Sequence, residues 1–362
     1  MPTYLKILLI AILISSIGAF SIYSSTYQKG MDQWQLQIAW IVLGLLCFLF
    51  FSNFNYRRLW DTTYFLYALA ITLLLLVFIL GSVRLGAQRW LKIAWFNLQP
   101  SELAKLIIVI FLASYFSKKS IYDISLLSRK FGIFRGLILP FIFIAVPTGL
   151  IIEQPDLGSG AIIVMMFIAM LYLTGVRLRY IFIFLLVIAL CMPALWHILR
   201  DYQRDRLMVF LNPNIDPLGA GYTLIQSKIA IGSGSFLGKG WLSGTQSQLH
   251  FLPESHTDFI FATFAEEWGF LGGVALLALY YLLVREGVRI AQRTKDAFGR
   301  LLAFGISLML AIQVFVNIAM TMGFMPIVGL PLPLMSYGGS SVAVTFIALG
   351  ILVSIDRRRA VF

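Results

Sequence analysis

The sequence predicts an all-α polytopic membrane protein with ten transmembrane helices, both termini in the cytoplasm and one long extracytoplasmic loop before the eighth helix. The chain of 362 residues is 60% hydrophobic and only 12% charged, whereas an ordinary soluble domain is about 25% charged. Apolar stretches recur along the whole chain, and basic residues fall between them. We therefore expect one membrane domain, 1–362, with an extracytoplasmic loop at about 200–257.

Ten apolar stretches give the span count. A helix needs about 20 residues to cross about 30 Å of hydrocarbon, and the shorter stretches can tilt or extend through polar flanks. An even count places both termini on one side. The stretches are 5–23, 34–52, 61–81, 103–117, 137–152, 160–175, 180–199, 258–284, 301–323 and 340–355.

Every second connection between these stretches is rich in arginine and lysine, which places those connections and both termini in the cytoplasm. The net charge of +12 is explained by this orientation, so no nucleic-acid partner is expected. Cys47 and Cys191 lie inside apolar stretches, which argues against a disulfide framework. The basic residues concerned are Arg57, Arg58, Lys118, Lys119, Arg129, Lys130, Arg135, Arg177, Arg179, Arg285, Arg289, Arg293, Lys295, Arg300, Arg357, Arg358 and Arg359.

A polar, turn-rich loop meets an apolar helix at Asp258. An aspartate at a helix start commonly caps the free N–H groups, and position alone favours that structural role. The surrounding groups favour a functional role, because ionisable side chains near a bilayer are costly unless they are used. Five titratable residues lie within fourteen positions here: Glu254, His256, Asp258, Glu266 and Glu267. For the last two, a satisfied pair in a helix turn is the favoured interpretation.

The outward segment 82–102 is basic and amphipathic, which is typical of an interfacial anchor. It contains Arg89 and leads through Gln99 into a helix that starts with Glu102 and Lys105, three residues apart on one face. A lysine followed at once by an apolar run must pair, extend to the interface or face a polar cavity.

Two further outward segments are irregular. The turn Glu153–Gly160 is equally consistent with Gln154 and Asp156 capping the turn or lining a cavity. The segment 324–339 is apolar but broken by prolines and glycines, so its backbone must be buried in protein or line a cavity. The glycine-rich 232–241 lacks the G-K-[ST] ending of a phosphate loop, which excludes nucleotide binding of that kind.

If the outer loops fold over the bundle, these groups form an amphipathic site. A carboxylate accepts the proton of a hydroxyl while arginine and lysine neutralise phosphates, which suits sugar transfer from a diphosphate-activated lipid. We expect Asp258 to act as the base, Arg89 and Lys105 to bind the diphosphate, and Glu102 to orient the lysine. Contacts with substrate are expected from Gln99, Gln154, Asp156, Glu254 and His256.

Six motifs resemble those of the SEDS family (shape, elongation, division and sporulation proteins), and the match covers most of the chain. The form GTQSQL-x-FLPE is similar to the elongation branch rather than the division branch. The motifs are GTQSQLHFLPESHTDFIFA, GAQRWL, NLQPSELAK, EQPDLGSG, FLNPNIDPLGAGY and LPLMSYGGSS.

The resemblance implies a ten-span glycosyltransferase of the bacterial inner membrane that polymerises lipid II into glycan strands outside the cytoplasm. It makes Asp258 the catalytic aspartate and places Arg89, Glu102 and Lys105 in family motifs. It also implies a class B penicillin-binding protein and other elongation proteins as partners. No cofactor is certain; a divalent cation, Mg²⁺ or Mn²⁺, is the one to consider, although no ligand spacing demands it.

Two other classes of function remain open from the residues. A flippase for the lipid-linked precursor would show the same number of spans and a charged cavity. A scaffold for cell-wall enzymes would recruit partners whatever the state of the polar site.

Overall fold

The structure is a computed structural model of the chain and describes residues 2–27, 32–84, 87–93, 96–122, 134–217 and 219–358. It is mostly helical, and each of the ten predicted apolar stretches coincides with a helix. The helices are α1 (Thr3–Thr26), α2 (Gln33–Asn53), α3 (Arg58–Asp61), α4 (Thr63–Leu80), α5 (Pro100–Tyr122), α6 (Leu139–Glu153), α7 (Leu157–Leu173), α8 (Leu178–Ile198), α9 (Asp201–Leu211), α10 (Ala220–Ser233), α11 (Thr245–Gln248), α12 (Ile260–Arg293), α13 (Ala297–Thr321) and α14 (Gly339–Arg358).

Eight helices in the described part of the chain are long and apolar enough to cross a bilayer, so the chain is an integral membrane protein. Helix α7 and the stretch Leu178–Leu190 are apolar but shorter, so the count of ten spans stays a prediction. Of the predicted cytoplasmic basic residues, Arg129, Lys130 and Arg359 lie outside the described residues.

The chain divides into two compact units, each built from separated parts of the sequence. The first comprises Met1–Cys47, Asp201–Glu286 and Gln313–Phe346. The second comprises Phe48–Arg200, Gly287–Ile312 and Ile347–Phe362. The prediction of a single domain over 1–362 stays a prediction.

The all-α prediction is wrong between α4 and α5, where three short strands form an antiparallel sheet in the order β1-β2-β3. Strand β1 is Gly81–Arg84, β2 is Ala87–Ile93 and β3 is Phe96–Leu98. In β2 the buried Leu91 is followed by the exposed Lys92, as expected when successive side chains point to opposite faces. The amphipathic character of this segment therefore reflects the two-residue period of a strand. Residues 85–86 and 94–95 of the predicted anchor lie outside the described residues.

The predicted loop at 200–257 contains three helices, α9, α10 and α11. Helix α10 lies in the middle of this segment. Its Ala230 packs in one hydrophobic cluster with Leu252, Phe259 and Ala262. The segment before α12 is therefore anchored to the start of that helix by apolar burial.

Between α13 and α14 the chain is irregular, as the prolines and glycines of 324–339 predict. Leu330, Leu332, Leu334 and Met335 are at most 1% exposed. The part of the segment that contains these residues is thus buried in protein, which is one of the two conditions under which such a segment is tolerated at membrane depth.

Helix α12 is broken at Gly269, whose φ of 62° and ψ of −162° are not helical. This conformation is essentially confined to glycine. The 235–240 segment fills the break. The amides of Phe270 and Leu271 donate to the carbonyls of Ser235 and Phe236, so the freed donors of the helix are satisfied within the protein. The acceptors on the other side, the carbonyls of Glu266 and Glu267, receive the amides of Lys239 and Gly240.

Candidate active site

Asp258 lies two residues before the first residue of α12, Ile260, in the first compact unit. Its residue is neither buried nor fully exposed, while Phe259 and Ile260 beside it are 2% and 0% exposed. The carboxylate therefore belongs to a residue at the edge of an apolar helix with partial access from outside. That placement suits a group that must meet a ligand and exchange a proton.

The main chain around Asp258 is held by the irregular segment between α13 and α14 and by the end of α13. The amide of Tyr337 donates to the carbonyl of His256 at 2.9 Å. The hydroxyl of Ser336 donates to the carbonyl of Thr257 at 2.6 Å, and Nδ2 of Asn317 donates to the carbonyl of Asp258 at 3.0 Å. Three successive carbonyls are thus fixed by three different groups.

Glu254 and His256 lie on the same turn as Asp258. Glu254 has a φ of 50°, its carbonyl accepts the amides of Thr257 and Phe259 at 3.2 Å, and its carboxylate accepts the hydroxyl of Thr257 at 3.0 Å. The His256 ring lies 5.8 Å from the Tyr337 ring, centroid to centroid. The structure therefore brings Glu254, His256 and Asp258 together in one tight, hydrogen-bonded turn.

Glu266 is fully buried and paired. Its Oε1 accepts from Nζ of Lys239 at 2.7 Å and from the hydroxyl of Thr245 at 2.9 Å, and the amide of Gln246 also donates to the carboxylate. Glu267 accepts from the hydroxyl of Ser24. Glu266 is thus hydrogen-bonded within the protein, as the favoured interpretation expected. Its charged partner is Lys239, 27 residues upstream, which the sequence did not indicate.

In the second compact unit, Lys105 and Glu102 form the ion pair that their spacing predicts. Nζ of Lys105 lies 2.7 Å from Oε1 of Glu102, and the side chains are 1% and 3% exposed. Because helix α5 is largely buried, the lysine charge is neutralised within the protein. Breaking such a pair by removing one partner is strongly destabilising.

Asp156 caps helix α7, accepting the amide of Ser159 at 3.2 Å. The same carboxylate accepts the hydroxyl of Ser101 at 3.0 Å and Nε2 of Gln99 at 3.4 Å. Asp156 thereby ties the turn before α7 to the start of α5. The turn-capping role left open by the sequence is present, and the buried carboxylate, 1% exposed, is engaged in it.

Arg89 is tied to the same turn from strand β2. Its Nε donates to the carbonyl of Gln154 at 3.2 Å, and its Nη2 donates to the carbonyl of Pro155. The side-chain Nε2 of Gln154 donates in turn to the carbonyl of Leu74 at 2.8 Å. The partly exposed guanidinium is thus oriented by main-chain acceptors that carry no net charge, so its positive charge is not neutralised by them.

The predicted residues therefore form two clusters, one in each compact unit. Among the described residues, no group of three or more His, Cys, Asp or Glu side chains could hold a metal ion. Sequence reasoning missed Asn317, Ser336, Tyr337 and Lys239. A polar asparagine inside an apolar span was the available signal for Asn317; a backbone amide such as that of Tyr337 gives none.

Comparison with known proteins agrees with this architecture. The family model described as "Cell cycle protein", for FtsW, RodA and SpoVE, matches residues 3–361. The peptidoglycan glycosyltransferase MrdB of Escherichia coli (strain K12) is 44% identical over 359 residues, covering 99% of this chain and 94% of the relative.

Two solved structures are similar over nearly the full length. One, described as "Structural coordination of polymerization and crosslinking by a peptidoglycan synthase complex", has a TM-score of 0.82 and 31% identity, covering 98% of this chain and 97% of that chain. The other, the rod shape determining protein RodA of Thermus thermophilus, has a TM-score of 0.71 and 28% identity, with 98% and 96% covered. The chain belongs to the SEDS family of FtsW, RodA and SpoVE proteins.

Proposed function

We propose that this protein polymerises lipid II into glycan strands during cell elongation, with Asp258 as the general base. The activity class is that of a peptidoglycan glycosyltransferase, the activity for which its 44% identical relative is named. The structural observation that carries the assignment of Asp258 is its position, a partly exposed carboxylate residue at the start of an apolar helix whose main chain is fixed on both sides.

The reaction needs a base and a stabilised leaving group. A hydroxyl oxygen of the acceptor sugar attacks C1 of the donor sugar, the C1–O bond to the diphosphate breaks, and the lipid diphosphate leaves with the bonding electrons. The carboxylate of Asp258 takes the hydroxyl proton. A carboxylate in a fixed position also holds the hydroxyl in line with C1, which lowers the entropic part of the activation barrier.

In this proposal the diphosphate is bound by Arg89 and Lys105. Arg89 presents a guanidinium already oriented by main-chain carbonyls, which suits bidentate binding of phosphate oxygens. Lys105 is paired with Glu102, so its charge is neutralised in the absence of substrate. In this proposal the diphosphate competes with Glu102 for the ammonium group. Gln99, Gln154 and Asp156 support this cluster, while Glu254 and His256 border the base.

The experiment is polymerisation of lipid II by the purified full chain, with and without a class B penicillin-binding protein. Asp258→Asn should abolish strand formation while the protein elutes as a folded species. The matched control is Asp205→Asn, the same change at an exposed aspartate of α9, which should retain activity. If Asp258→Asn polymerises normally but stops lipid II from reaching the outer leaflet, the chain is a transporter and the enzymatic proposal fails.

Topology and localisation are part of the same proposal: ten spans in the bacterial inner membrane, both termini cytoplasmic and the site facing outward. It can be tested in a variant with both native cysteines replaced. A cysteine at the exposed Ser243 should react with an impermeant maleimide in intact cells, whereas one at the exposed Gln292 should react only after permeabilisation. The reverse labelling pattern would show that the site faces the cytoplasm.

The partners proposed are the lipid-linked substrate, the nascent strand, a class B penicillin-binding protein and other elongation proteins. The description of one similar structure names a peptidoglycan synthase complex, which supports the transpeptidase partner. A divalent cation, Mg²⁺ or Mn²⁺, has no three-residue ligand group among the described side chains. The proposed reaction uses the chain's own residues, and no step in it depends on a cation.

A further inference from the structure

We propose that Asn317 and Ser336 are positioning residues that fix the direction of the Asp258 side chain by clamping the two peptide groups on either side of its Cα. This inference rests on the proposed role of Asp258 as the base. It concerns only contacts within the first compact unit.

The clamp exists because the turn before α12 lies outside the helical hydrogen-bond ladder. Near the start of the helix, the amides of Ala262 and Thr263 donate to the carbonyl of Phe259. Residues 256–258 are partly buried and precede the helix, and main-chain carbonyls that are shielded from water require donors. Asn317, Ser336 and the amide of Tyr337 supply them.

Both peptide groups next to the Asp258 Cα are held. The 257–258 peptide is held at its carbonyl by the Ser336 hydroxyl, at 2.6 Å. The 258–259 peptide is held at both edges, at its carbonyl by Asn317 and at its N–H by the carbonyl of Glu254, 3.2 Å away. Because peptide groups are planar, fixing both of them fixes φ and ψ at Asp258 and therefore the direction of its Cβ.

The two clamping side chains are themselves rigid. Asn317 is 0% exposed and its Nδ2 also donates to the carbonyl of Leu330 at 2.6 Å, so one amide group holds two main-chain acceptors. Ser336 is 1% exposed, and its hydroxyl oxygen accepts the amide of Leu332 at 2.7 Å. Gln37 from α2 donates to the Ser336 carbonyl at 3.2 Å. This arrangement is a supporting shell of the kind that holds a reacting group to within a fraction of an ångström.

A displacement of about 1 Å at a reacting group lowers a rate by about 100-fold. Loss of one clamp should therefore reduce the turnover number while leaving substrate binding intact, because neither Asn317 nor Ser336 needs to touch the substrate. It should also shift the acid limb of the pH–rate profile, since a carboxylate that moves relative to the buried Phe259 and Ile260 changes its solvation.

The test compares Ser336→Ala with Ser227→Ala in the full-length protein. The two changes are chemically identical, since Ser227 is also buried and donates to a main-chain carbonyl, that of Thr321, at 2.7 Å. Turnover is measured per folded molecule with lipid II as substrate, together with the dissociation constant for lipid II and the pH–rate profile. Asn317→Leu is the second variant, and where it does not fold Ser336→Ala alone decides.

We expect Ser336→Ala to lower turnover by about tenfold or more, to leave lipid II binding nearly unchanged and to shift the acid limb of the pH–rate profile. Ser227→Ala should leave turnover, binding and the acid limb unchanged. An unshifted acid limb, a smaller loss or an equal loss in Ser227→Ala overturns the proposal. Asp258→Asn is measured alongside: if it retains activity, the base assignment itself fails, whereas full loss in Asp258→Asn with normal Ser336→Ala refutes only the clamp.

Discussion

The buried ion pair on helix α5 allows a structural role to be separated from a catalytic one. Lys105→Met removes the ammonium and leaves Glu102, 3% exposed, without the partner that lies 2.7 Å away. An uncompensated charge at such a site costs about 3–5 kcal/mol of the free energy of unfolding. Both side chains are almost completely buried, so solvent does not screen the charge that remains.

The double variant Glu102→Leu/Lys105→Met removes both charges and keeps side chains of similar length. Replacing a buried pair with packed apolar residues is often neutral or stabilising by about 1–4 kcal/mol. We therefore expect the double variant to recover most of the stability lost in Lys105→Met. If the pair also serves the diphosphate, it should remain inactive in polymerisation although it is stable.

The measurements are unfolding of the detergent-solubilised protein, followed by intrinsic tryptophan fluorescence, and strand synthesis from lipid II by the same preparations. A Lys105→Met protein as stable as the wild type would refute the account of the buried pair. A double variant that is both stable and fully active would leave the pair with a purely structural role.

Three further changes have expected outcomes. Asp156→Ala removes the α7 cap and two side-chain hydrogen bonds; it should cost about 1–2 kcal/mol by the cap alone, and a loss no larger than that of an exposed Asp201→Ala control would contradict this. Gly269→Ala should destabilise the protein by about 1–3 kcal/mol or more, because its Cβ would lie 2.3 Å from the amide nitrogen of Gly238, whereas Gly273→Ala, with no atom nearer than 3.9 Å, should be tolerated; equal melting temperatures would refute the glycine requirement. Lys239→Ala should destabilise more than Glu266→Ala, since without the lysine the fully buried carboxylate of Glu266 keeps only the neutral donors Thr245 and Gln246, whereas without Glu266 the partly exposed lysine can reach solvent; the reverse order in an unfolding titration would show that the neutral donors are sufficient for the carboxylate.

The helices could be predicted from the sequence, but the small sheet could not. Ten long apolar runs are strong signals because crossing hydrocarbon demands length and apolarity together. The 81–98 segment is short and amphipathic, so composition suggested a surface anchor. Whether it forms strands depends on pairing between β1, β2 and β3, a tertiary property that local pattern does not determine.

The candidate site was predictable to the extent that its chemistry lies in side chains. Lys105 followed by an apolar run had to pair, extend to the interface or face a polar cavity, and Glu102, three residues before it, is the partner in the structure. Asp258 was marked by the meeting of polar loop and apolar helix. The contacts that hold the turn around it were not predictable, since the acceptors are carbonyls and one donor is the amide of Tyr337, 81 positions away in sequence. Backbone groups carry no residue-specific signal.

The part of α12 before Gly269 is held at both ends by hydrogen bonds to other segments of the chain. Before the helix begins, the carbonyls of the partly buried residues 256–258 receive donors from Asn317 and the 336–337 segment. At Gly269, where the helix breaks, the 235–240 segment supplies both donors and acceptors. In each place an irregular segment replaces the hydrogen bonds that the helix cannot make for itself, which is the condition for non-helical backbone inside a membrane protein. The stretch 260–268 is therefore fixed at both ends by other parts of the same unit. Asp258, the proposed base, therefore lies next to an element whose two ends are hydrogen-bonded to other parts of the same unit, rather than next to a fraying helix terminus.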